Sequence, residues 1–497
     1  MQVSWREEAG GWAKALPAAS LTAAVSLAIF YFCTSLYIAA HRLYWFDELF
    51  VIRIAKLPSL TAMWQCLAHA SDTMPPGYHF LMRIVGHTFG YSELAMRLPS
   101  AAGLVIGLLL TFDCARRITD TLHGLLALSL LTCSLLPYYG YEARPYALYF
   151  MLSALALWIW VCTSRTSTRY ALLFGAVLFL AVTIHYYAAL CVLPYVLWDL
   201  LQFNSGKQLS QKTLAGISGI ALAGALVAPL ALAYSRQFGA HFWASPSLFR
   251  LRQGFLEFFP AGMFLLALMT IWIVLCHSRN GGAIVTARHS AESLGWLFFS
   301  IPILGFVLAE LKTNAFLIRY FVGALPGIAL AFACLVSRHF SRSYHVSTGV
   351  VALLMLFGIA EQWSTMLHPE RVDPFGQQTI TRQYLELESS VFSDGKQFVL
   401  FDNPMLFLEA VHYSHRPEQC GLLLGINDRD ERPTVRVQAN LAQFSPLHIW
   451  KLDDLRLHAG QTALVDPRPE LLDALGHAGL KVSVRIPSPL EVVYLRE

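Results

Sequence analysis

The stretch AASLTAAVSLAIFYFCTSLYIAA at residues 18–40, followed by HRLYWFDE at residues 41–48, indicates the class of fold. Its first part carries no charged residue, and a helix needs about 20 apolar residues to cross the hydrocarbon core of a bilayer. No convincing small-residue cleavage site accompanies it, so we interpret this run as a retained span and not as a signal peptide. Its second part places two carboxylates, Asp47 and Glu48, directly beyond the predicted membrane boundary.

The composition extends this pattern to most of the chain. Only 14% of the 497 residues are charged and 56% are hydrophobic, whereas a soluble protein has roughly a quarter of its residues charged. Further candidate spans lie at residues 99–114, 122–137, 146–162, 170–184, 188–203, 214–234, 260–276, 294–308, 318–336 and 346–359. Together they predict an α-helical polytopic membrane protein with about eleven transmembrane helices. The net charge of +4 is too small to indicate a nucleic-acid-binding protein.

Basic residues predict which side of the membrane each connection faces. Because cytoplasmic connections carry an excess of Lys and Arg, we place the N-terminus, with Arg6 and Lys14, in the cytoplasm. The other connections on that side carry pairs of basic residues and no recognisable chemistry: Arg116 and Arg117, Arg165 and Arg169, Lys207 and Lys212, Arg279 and Arg288, and Arg338 and Arg342. The motifs described below then all fall on the outward side. The sequence therefore predicts one site at the extracytoplasmic face of an inner (cell) membrane protein.

Two outward segments are too long to be simple connections. Residues 41–98 form the first, with amphipathic helices predicted at residues 49–57 and 78–89 on the membrane surface. Residues 368–497 have ordinary polarity, so we divide the chain into a transmembrane domain at 1–367 and an extracytoplasmic α/β domain at 368–497. In the latter, short apolar runs predict strands at 397–401, 463–466, 482–486 and 492–495, and helices at 405–414 and 470–478.

The nine cysteines give no sign of a metal knot or a redox motif, because none forms a C-x-x-C pair. Most lie in apolar runs, where cysteine behaves as a small hydrophobic residue. Cys66 and Cys420 both lie in predicted outward segments. They could form a disulfide in an oxidising compartment, but we expect two free thiols.

Carboxylates in the outward segments are the first candidates for chemistry. Asp47 and Glu48 follow the aromatic residues 44–46, and Asp72 precedes the prolines at 75–76. Carboxylates on a loop are often simply solvated, and prolines fit the start of a helix without any function. Between aromatic residues and a bilayer, however, partial desolvation can raise the pKa of a carboxylate toward that of a useful base. Asp47, Glu48 and Asp72 are therefore the candidate catalytic residues.

Arginines at the outer ends of predicted spans form the second group. Arg144 lies between Glu142 and Tyr146, and Arg319 is followed by Tyr320. A lone arginine at a span end commonly reaches toward the lipid headgroups, and Glu142 could instead pair with Arg144. A planar guanidinium also suits the oxygens of a phosphate. Both arginines are therefore candidates for binding a phosphate group at the membrane surface.

A third outward motif is His185-Tyr186-Tyr187. A histidine at such a position is more often an interface residue than a ligand. Because His69 and His79 also face outward, a metal site can be imagined, but no H-x-x-x-H or comparable spacing supports one. We assign no metal ligand from the sequence.

Taken together, these segments resemble the glycosyltransferase C superfamily of integral membrane enzymes. The nearest resemblance is to bacterial relatives of the protein O-mannosyltransferases and of the lipid A aminoarabinose and galacturonic acid transferases. It covers roughly residues 21–335, and many relatives have a histidine or lysine where this chain has Met74. The segments that carry it are Phe46-Asp47-Glu48, Asp72 through His79, Arg97-Leu98-Pro99-Ser100, Tyr141-Glu142-Ala143-Arg144-Pro145-Tyr146, His185-Tyr186, and Arg319-Tyr320-Phe321 with Leu325-Pro326.

The resemblance implies that one sugar passes from a polyprenyl-phosphate carrier to an acceptor hydroxyl outside the cytoplasm, with inversion in a single displacement. It marks Asp47 as the base, with Glu48 as a helper or orienting group. It assigns Arg144, Arg319 and Tyr320 to the carrier phosphate, and Tyr146, Glu142, His185 and Tyr186 to the substrate. The implied partners are this donor, the lipid bilayer and a glycolipid, protein or glycan acceptor. No cofactor is firmly implied, and a requirement for a divalent metal is left open.

Three other functions compete with this interpretation. A transporter or flippase usually carries ionisable or helix-breaking residues at the membrane midplane, whereas Asp113 and Asp199 lie near predicted cytoplasmic ends. A polymerase or ligase of lipid-linked glycans shares the same membrane organisation but transfers a chain rather than one sugar. A non-catalytic scaffold for the outer domain leaves the aligned motifs unexplained.

Overall fold

Helices dominate the computed structural model, which describes residues 4–164, 166–203, 209–238, 244–258, 286–339, 344–373, 376–424, 432–477, 479–486 and 490–496. The helices of the first part are α1 Ser4–His41, α2 Phe46–Ala55, α3 Leu60–Ala68, α4 Pro76–Phe89, α5 Glu93–Ile118, α6 Thr121–Thr132, α7 Leu136–Tyr139, α8 Tyr146–Cys162, α9 Thr168–Ile184, α10 Leu193–Phe203, α11 Gln211–Phe238, α12 Leu248–Phe258, α13 Thr286–Leu297, α14 Ser300–Leu308, α15 Leu325–His339 and α16 Tyr344–Leu367. Two 3₁₀ segments, Tyr186–Val192 and Ile318–Ala324, lead into α10 and α15.

Within the described residues, six helical stretches are long and apolar enough to cross a membrane: Pro17–His41, Glu93–Ile118, Gln211–Phe238, Ser290–Thr313, Ile318–Arg338 and His345–Leu367. Each contains a predicted span. The shorter apolar helices Thr121–Thr132, Tyr146–Cys162 and Thr168–Ile184 coincide with three more predicted spans. The span predicted at 188–203 corresponds to most of the first 3₁₀ segment together with α10. The span predicted at 260–276 lies outside the described residues. The predicted class of fold, a helical polytopic membrane protein, is confirmed.

One predicted span is shorter than the sequence pattern indicates. We expected a helix over 122–137, but α6 ends at Thr132 and the chain bends before α7 begins at Leu136. Pro137 explains the bend, because proline has no N–H and its ring collides with the preceding helical turn.

Close packing of α5 against α8 fixes where the loop that holds Arg144 lies. A Cβ atom at Gly103 of α5 would lie 2.9 Å from the Leu148 side chain and 3.2 Å from the Leu148 backbone nitrogen of α8, so glycine lets the two helices approach closely without displacing either. Small residues permit the same close contact between helices in many membrane proteins. Beside this contact the Ser100 hydroxyl donates to the Arg144 backbone carbonyl at 3.2 Å. The second turn of α5 therefore holds the backbone that leads into α8.

The long outward segment contains α2, α3 and α4, of which the sequence predicted α2 and α4. Helix α4 leaves Phe80, Ile84 and Phe89 exposed, consistent with the predicted membrane-facing stripe. Helix α2 corrects the prediction that it lies on the membrane surface: Leu49, Ile52 and the other apolar residues of its middle are almost fully buried. Helix α2 packs instead between α4 and the part of the chain that follows residue 368.

The later part of the chain forms a six-stranded sheet covered by helices. Its elements are α17 Gln377–Ser393, β1 Phe398–Phe401, α18 Pro404–Tyr413, β2 Cys420–Leu423, α19 Pro433–Ala442, β3 His448–Trp450, α20 Leu452–Leu457, β4 Thr462–Val465, α21 Pro469–His477, β5 Lys481–Ile486 and β6 Val492–Arg496. The strand order is β3-β2-β1-β4-β6-β5. The first four strands are parallel, with Leu400 opposite both Gly421 and Leu464, and β6 is antiparallel to β4 and β5. The predicted α/β character is confirmed, and the division at residues 367 and 368 stays a proposal.

Helix α18 connects this sheet to the outward segment. It follows β1 directly, and its Asn403 side chain accepts hydrogen bonds from the backbone N–H groups of Met405 and Leu406 as an N-terminal cap. Helix α18 also contacts α2. One apolar cluster includes Trp45 and Leu49 of the outward segment together with Phe407 of α18. We call the elements from α17 to β6 the sheet region. This region is thus packed against the residues on either side of Asp47.

Candidate active site

The structure brings residues from three of the predicted outward segments to one place. Asp47 is the second residue of α2, Asp72 lies before α4, Arg144 lies before α8, and Arg319 lies in the 3₁₀ segment before α15. These four residues are joined by ion pairs, although they are separated by up to 272 positions in sequence. His185 adds a neutral ring to the same group.

Asp47 lies between two arginines. Its Oδ2 atom is 3.7 Å from Nη2 of Arg144 and 3.4 Å from Nη2 of Arg319. Arg144 Nη1 also donates to the backbone carbonyl of Asp47 at 3.0 Å. The Asp47 side chain is 22% exposed and that of Arg319 is 20% exposed, whereas Arg144 is almost completely buried. A carboxylate and two guanidinium groups therefore meet at a surface that a ligand can reach.

Asp72 is the second carboxylate in contact with Arg144. Its Oδ2 lies 3.7 Å from Arg144 Nη1 and 2.9 Å from Nε2 of His79, and its Oδ1 accepts from the Thr73 backbone N–H at 2.6 Å. Burial by itself would raise the pKa of Asp72, but the charge of Arg144 and the bond to His79 outweigh burial and hold that pKa below its usual value. Asp72 is thus an ionised, buried partner of Arg144 and less accessible than Asp47.

Glu48 points away from this surface, although it is the next residue after Asp47. Arg97 donates two hydrogen bonds to Glu48, from Nε to Oε1 at 2.7 Å and from Nη2 to Oε2 at 2.6 Å. Glu48 also accepts from the backbone N–H groups of Trp45 at 3.1 Å and Ala143 at 2.6 Å. Burial favours a higher pKa for Glu48, but the Arg97 charge dominates and the pKa is lowered. This geometry supports the orienting role for Glu48 rather than direct participation in chemistry.

Glu142 is buried beside Arg42, not beside Arg144 as the sequence suggested. Its Oε1 lies 3.9 Å from Arg42 Nη2, and Arg42 in turn donates to the Tyr138 hydroxyl at 3.5 Å. Burial raises the pKa of Glu142 to about 7, against the opposing effect of the Arg42 charge. Glu142 can therefore exchange a proton near neutral pH. Glu142 therefore pairs with Arg42, and the pairing with Arg144 that the sequence left open is not the one observed.

Aromatic rings form the wall beside the arginines. The Arg319 guanidinium carbon lies 5.6 Å from the centre of the Tyr146 ring, within the range of a cation–π contact. His185 stacks on Tyr149 with ring centres 5.1 Å apart, and Tyr320 stacks on Tyr187 at 5.3 Å. Burial, followed by the charges of Arg144 and Arg319, lowers the pKa of His185 to about 3. His185 is therefore a neutral ring with one N–H donor and one acceptor nitrogen.

Several buried polar atoms of the two arginines and of the neighbouring rings have no hydrogen-bond partner among the described residues. They are Nε of Arg144, Nε of Arg319, both ring nitrogens of His185 and the hydroxyl of Tyr146. Buried polar groups in folded proteins are almost always hydrogen-bonded, to protein or to water and ligands. Their concentration around Asp47 therefore marks a place built to receive polar groups from outside the chain.

Two residues of this site were not selected from the sequence as site residues. Arg97 was noted only as part of a motif, yet it fixes Glu48 and also donates to the backbone carbonyls of Ala39, Arg42 and Leu43. His79 was considered as a metal ligand, whereas its ring binds Asp72 and the Pro75 carbonyl. The available signal for Arg97 was an arginine two residues before the apolar run at 99–114.

Tyr186, Cys66 and Cys420 are the remaining residues that were named from the sequence. Tyr186 is partly buried next to His185, and burial together with the Asp72 charge raises its pKa. Cys66 and Cys420 are both free thiols, as expected. Among the described residues, no group of three or more His, Cys, Asp and Glu side chains stands close enough to hold a metal ion.

The fold and this site together define a class of protein: a polytopic helical membrane protein with charged residues gathered in the connections between its helices and a sheet region packed against α2. Residues 73–232 match the family model described as dolichyl-phosphate-mannose-protein mannosyltransferase. A search of curated proteins finds no match.

Solved structures show the same fold over almost the whole chain. Apo ArnT from Cupriavidus metallidurans superposes with a TM-score of 0.60 and 13% identity, covering 98% of this chain and 98% of that one. ArnT from Cupriavidus metallidurans bound to undecaprenyl phosphate gives a TM-score of 0.58 and 13% identity, covering 96% and 97%. The resemblance drawn from the sequence motifs is thereby confirmed: the chain has the fold of the glycosyltransferase C superfamily, to which the matched family model also belongs.

Proposed function

We propose that this chain is an integral membrane glycosyltransferase that moves one sugar from a polyprenyl-phosphate carrier to an acceptor hydroxyl outside the cytoplasm. The observation that carries the proposal is the pair of contacts from Asp47 Oδ2 to Arg144 and Arg319. A base and an anion-binding pair then stand side by side at an accessible surface. This is the combination needed to activate a hydroxyl and to release a phosphate.

In this proposal Arg144 and Arg319 stabilise the phosphate leaving group. A departing phosphate gains negative charge in the transition state, and preorganised cations in a low-dielectric site stabilise that charge. Arg144 and Arg319 each keep an Nε–H group without a partner among the described residues, so each can bind a phosphate oxygen while its Nη2 stays near Asp47. Tyr320 lies beside them and is stacked on Tyr187. We assign Arg144, Arg319 and Tyr320 to the carrier phosphate.

Asp47 accounts for the acceptor. In the proposed step the acceptor O–H proton passes to the Asp47 carboxylate as the oxygen forms a bond to the anomeric carbon. The bond from that carbon to the phosphate oxygen breaks, and its electron pair leaves with the polyprenyl phosphate. Because attack and departure occur on opposite faces, the anomeric centre is inverted. Asp72 serves as the buried counter-ion that holds Arg144.

The aromatic wall accounts for the sugar. Neutral His185 and the Tyr146 hydroxyl offer hydrogen-bonding atoms that lack partners among the described residues, and sugars present both hydroxyl groups and apolar faces. Tyr186 lies next to His185, and we assign all three to the substrate. Glu142 lies deeper beside Arg42, so we assign it to the support of this wall.

A lipid donor fits the membrane setting. The ArnT structure that shares this fold is described as bound to undecaprenyl phosphate, and α4 presents an exposed apolar stripe beside the site. We propose that the site and residues 368–497 face the extracytoplasmic side, where the positive-inside rule puts the motif-bearing connections. The acceptor is a hydroxyl on a glycolipid, a protein or another glycan.

The test is transfer by the purified full-length chain in lipid nanodiscs. Undecaprenyl-phosphate monosaccharides carrying labelled mannose, glucose, galacturonic acid or aminoarabinose serve as donors, with envelope glycolipids and glycoproteins as acceptors. The proposal expects labelled acceptor carrying one added sugar and release of undecaprenyl phosphate. Products with several added sugars would favour a polymerase or ligase. Movement of label across the bilayer without any transfer would overturn the proposal in favour of a flippase.

A further inference from the structure

The N-terminus of α2 is held in an unusual way, because side chains of a distant helix bind its backbone. The first N–H groups of a helix have no partner within the helix. Here the Tyr44 N–H donates to the Tyr413 hydroxyl at 2.7 Å, and the Phe46 N–H donates to Glu409 Oε1 at 3.1 Å. Both acceptors belong to α18, more than 360 positions later in the chain.

Each of the two acceptor side chains forms a further hydrogen bond with another helix. The second oxygen of Glu409 accepts from the Thr381 hydroxyl of α17 at 3.0 Å. The Tyr413 hydroxyl donates to Glu93 Oε1 at the start of α5 at 2.8 Å. Glu409 is 1% exposed, and no Lys or Arg of the described residues forms a salt bridge with it. A buried carboxyl group without a cation is costly, so an apolar residue would serve better if packing alone were required.

The residues on either side of Asp47 are therefore held by different parts of the molecule. Phe46, which precedes it, is bound by Glu409 of α18. Glu48, which follows it, is bound by Arg97 of α5. The Asp47 carbonyl accepts from Arg144. Displacing reacting groups by about 1 Å can cost on the order of 100-fold in rate, so these restraints act on the position of the Asp47 carboxylate.

We propose that Glu409 and Tyr413 are positioning residues for Asp47, through which the sheet region sets the geometry of the membrane site. This inference rests on the proposed function for its kinetic consequences, but not for its structural ones. Glu409 and Tyr413 touch no residue that we assign to the donor or the sugar. They act by orienting the helix that begins at Phe46.

The conservative and disruptive variants separate positioning from general support. Burial raises the pKa of Glu409 to about 8, so the neutral side chain of Glu409→Gln keeps an acceptor oxygen of the same kind, whereas Glu409→Ala has none. Glu388 provides the matched control, because it is a buried carboxylate of the same region that binds Ser414 and His415 but does not touch α2. Glu388→Ala removes a comparable network without removing a restraint on Asp47.

The experiment measures deuterium uptake of peptides covering residues 44–50 in the full chain in nanodiscs, together with kcat and KM for transfer. We expect Glu409→Ala to raise uptake there and to lower kcat by about 10- to 100-fold, with donor KM unchanged. Glu409→Gln should restore both values, and Glu388→Ala should leave both unchanged. Tyr413→Phe should raise uptake at residue 44 and serves if Glu409→Ala does not fold.

The two ways of failing are distinguishable. If the parent chain transfers sugar but Glu409→Ala and Tyr413→Phe leave uptake and kcat at parental values, the positioning role is refuted and the proposed function stands. An equal loss of kcat in Glu388→Ala would also refute it, since general stability of the sheet region would then explain the effect. If the parent transfers no sugar from any donor, the proposed function fails while deuterium uptake still decides the restraint.

Discussion

Arg97 and Glu48, the residue that follows Asp47, form a fully buried, bidentate ion pair. The guanidinium binds both carboxylate oxygens, at 2.7 and 2.6 Å, and neither side chain has any exposed surface. The remaining N–H groups of Arg97 bind backbone carbonyls at the end of α1 and in the turn after it. This pair therefore ties the first span to the start of α2 and leaves Asp47 on the opposite, accessible side.

Breaking this pair should damage folding before it damages chemistry. Glu48→Gln leaves Arg97 buried without a counter-charge, and removing one partner of a buried ion pair typically costs about 3–5 kcal/mol. We expect a clear loss of thermal stability and of yield, with transfer per folded molecule reduced less than in Asp47→Asn. Thermal unfolding and transfer are measured on the same preparation. Parental stability of Glu48→Gln would contradict the orienting role.

Arg144 and Arg319 should control donor binding. Losing a charged hydrogen bond to a phosphate costs about 1.5–3 kcal/mol, so Arg144→Ala and Arg319→Ala should each weaken undecaprenyl phosphate binding by at least about tenfold. Arg→Lys should rescue only in part, because the forked geometry is lost. The measurement is equilibrium binding of undecaprenyl phosphate to protein in nanodiscs.

A third outward arginine provides the control for that experiment. Arg83 binds the carbonyls of Ala55, Leu57 and Pro58 and contacts none of the proposed phosphate-binding residues. Arg83→Ala should therefore lower stability without changing binding of undecaprenyl phosphate. Parental affinity in Arg144→Ala would remove that residue from the phosphate site and favour headgroup contact instead.

Much of the membrane architecture could be predicted because it follows from one strong physical constraint. A span must be apolar over its whole length, so α1, α5 and α11 are visible in the sequence as uninterrupted apolar runs. The same alternation predicts that Asp47, Arg144 and Arg319 lie in outward connections. The bend after Thr132 was missed because apolar character does not reveal where a proline ends a helix early.

The sheet region and the contacts around Asp47 were harder to predict. Strand β3 is only three residues long, and the four-residue strand β2 contains Gly421, a residue type that is depleted in strands, so neither strand gives a clear sequence pattern. The burial of α2 depends on α18, which lies hundreds of residues away in the chain. The contacts of Glu142 with Arg42 and of Glu48 with Arg97 likewise depend on tertiary packing, which no local spacing encodes.

Stability should depend on pH through Glu409. Burial raises the pKa of Glu409 to about 8 in the folded chain, whereas an unperturbed glutamate has a pKa of about 4.3. The folded protein therefore holds this proton more tightly, so the contribution of Glu409 to the free energy of unfolding is greatest below pH about 4 and is lost as the pH rises through about 8. Glu409→Gln should reduce the loss of thermal stability between pH about 5 and pH about 9.

Glu388 gives the opposite sign and so serves as the control for this pH dependence. Its hydrogen bonds to Ser414 and His415 outweigh burial and lower its pKa, so its contribution is lost as the pH falls rather than as it rises. Glu388→Gln should leave the alkaline loss of stability unchanged. An alkaline loss identical in the parent and Glu409→Gln would show that Glu409 does not titrate in this range.

The orientation of the site can be tested by labelling from each side of the membrane. Asp453 of α20 has a side chain that is 89% exposed, so a cysteine in its place is open to reagents. In intact spheroplasts we expect Asp453→Cys to react with a membrane-impermeant maleimide added from outside. Reaction only after the cytoplasmic side is exposed would invert the topology and, with it, the extracytoplasmic site.

The most direct test of the central claim is Asp47→Asn. The asparagine keeps the size of the side chain and can hydrogen-bond, but it cannot accept the acceptor's proton. Asp453→Asn, the same change at an exposed position, is the control. Binding of undecaprenyl phosphate reports that the Asp47→Asn protein is folded, and transfer of labelled sugar from the donor identified for the parent is then measured. We predict that Asp47→Asn keeps binding and loses about 100- to 10,000-fold in transfer rate, while Asp453→Asn transfers normally. Transfer by Asp47→Asn at the parental rate would contradict the account and move the search for the base to Asp72.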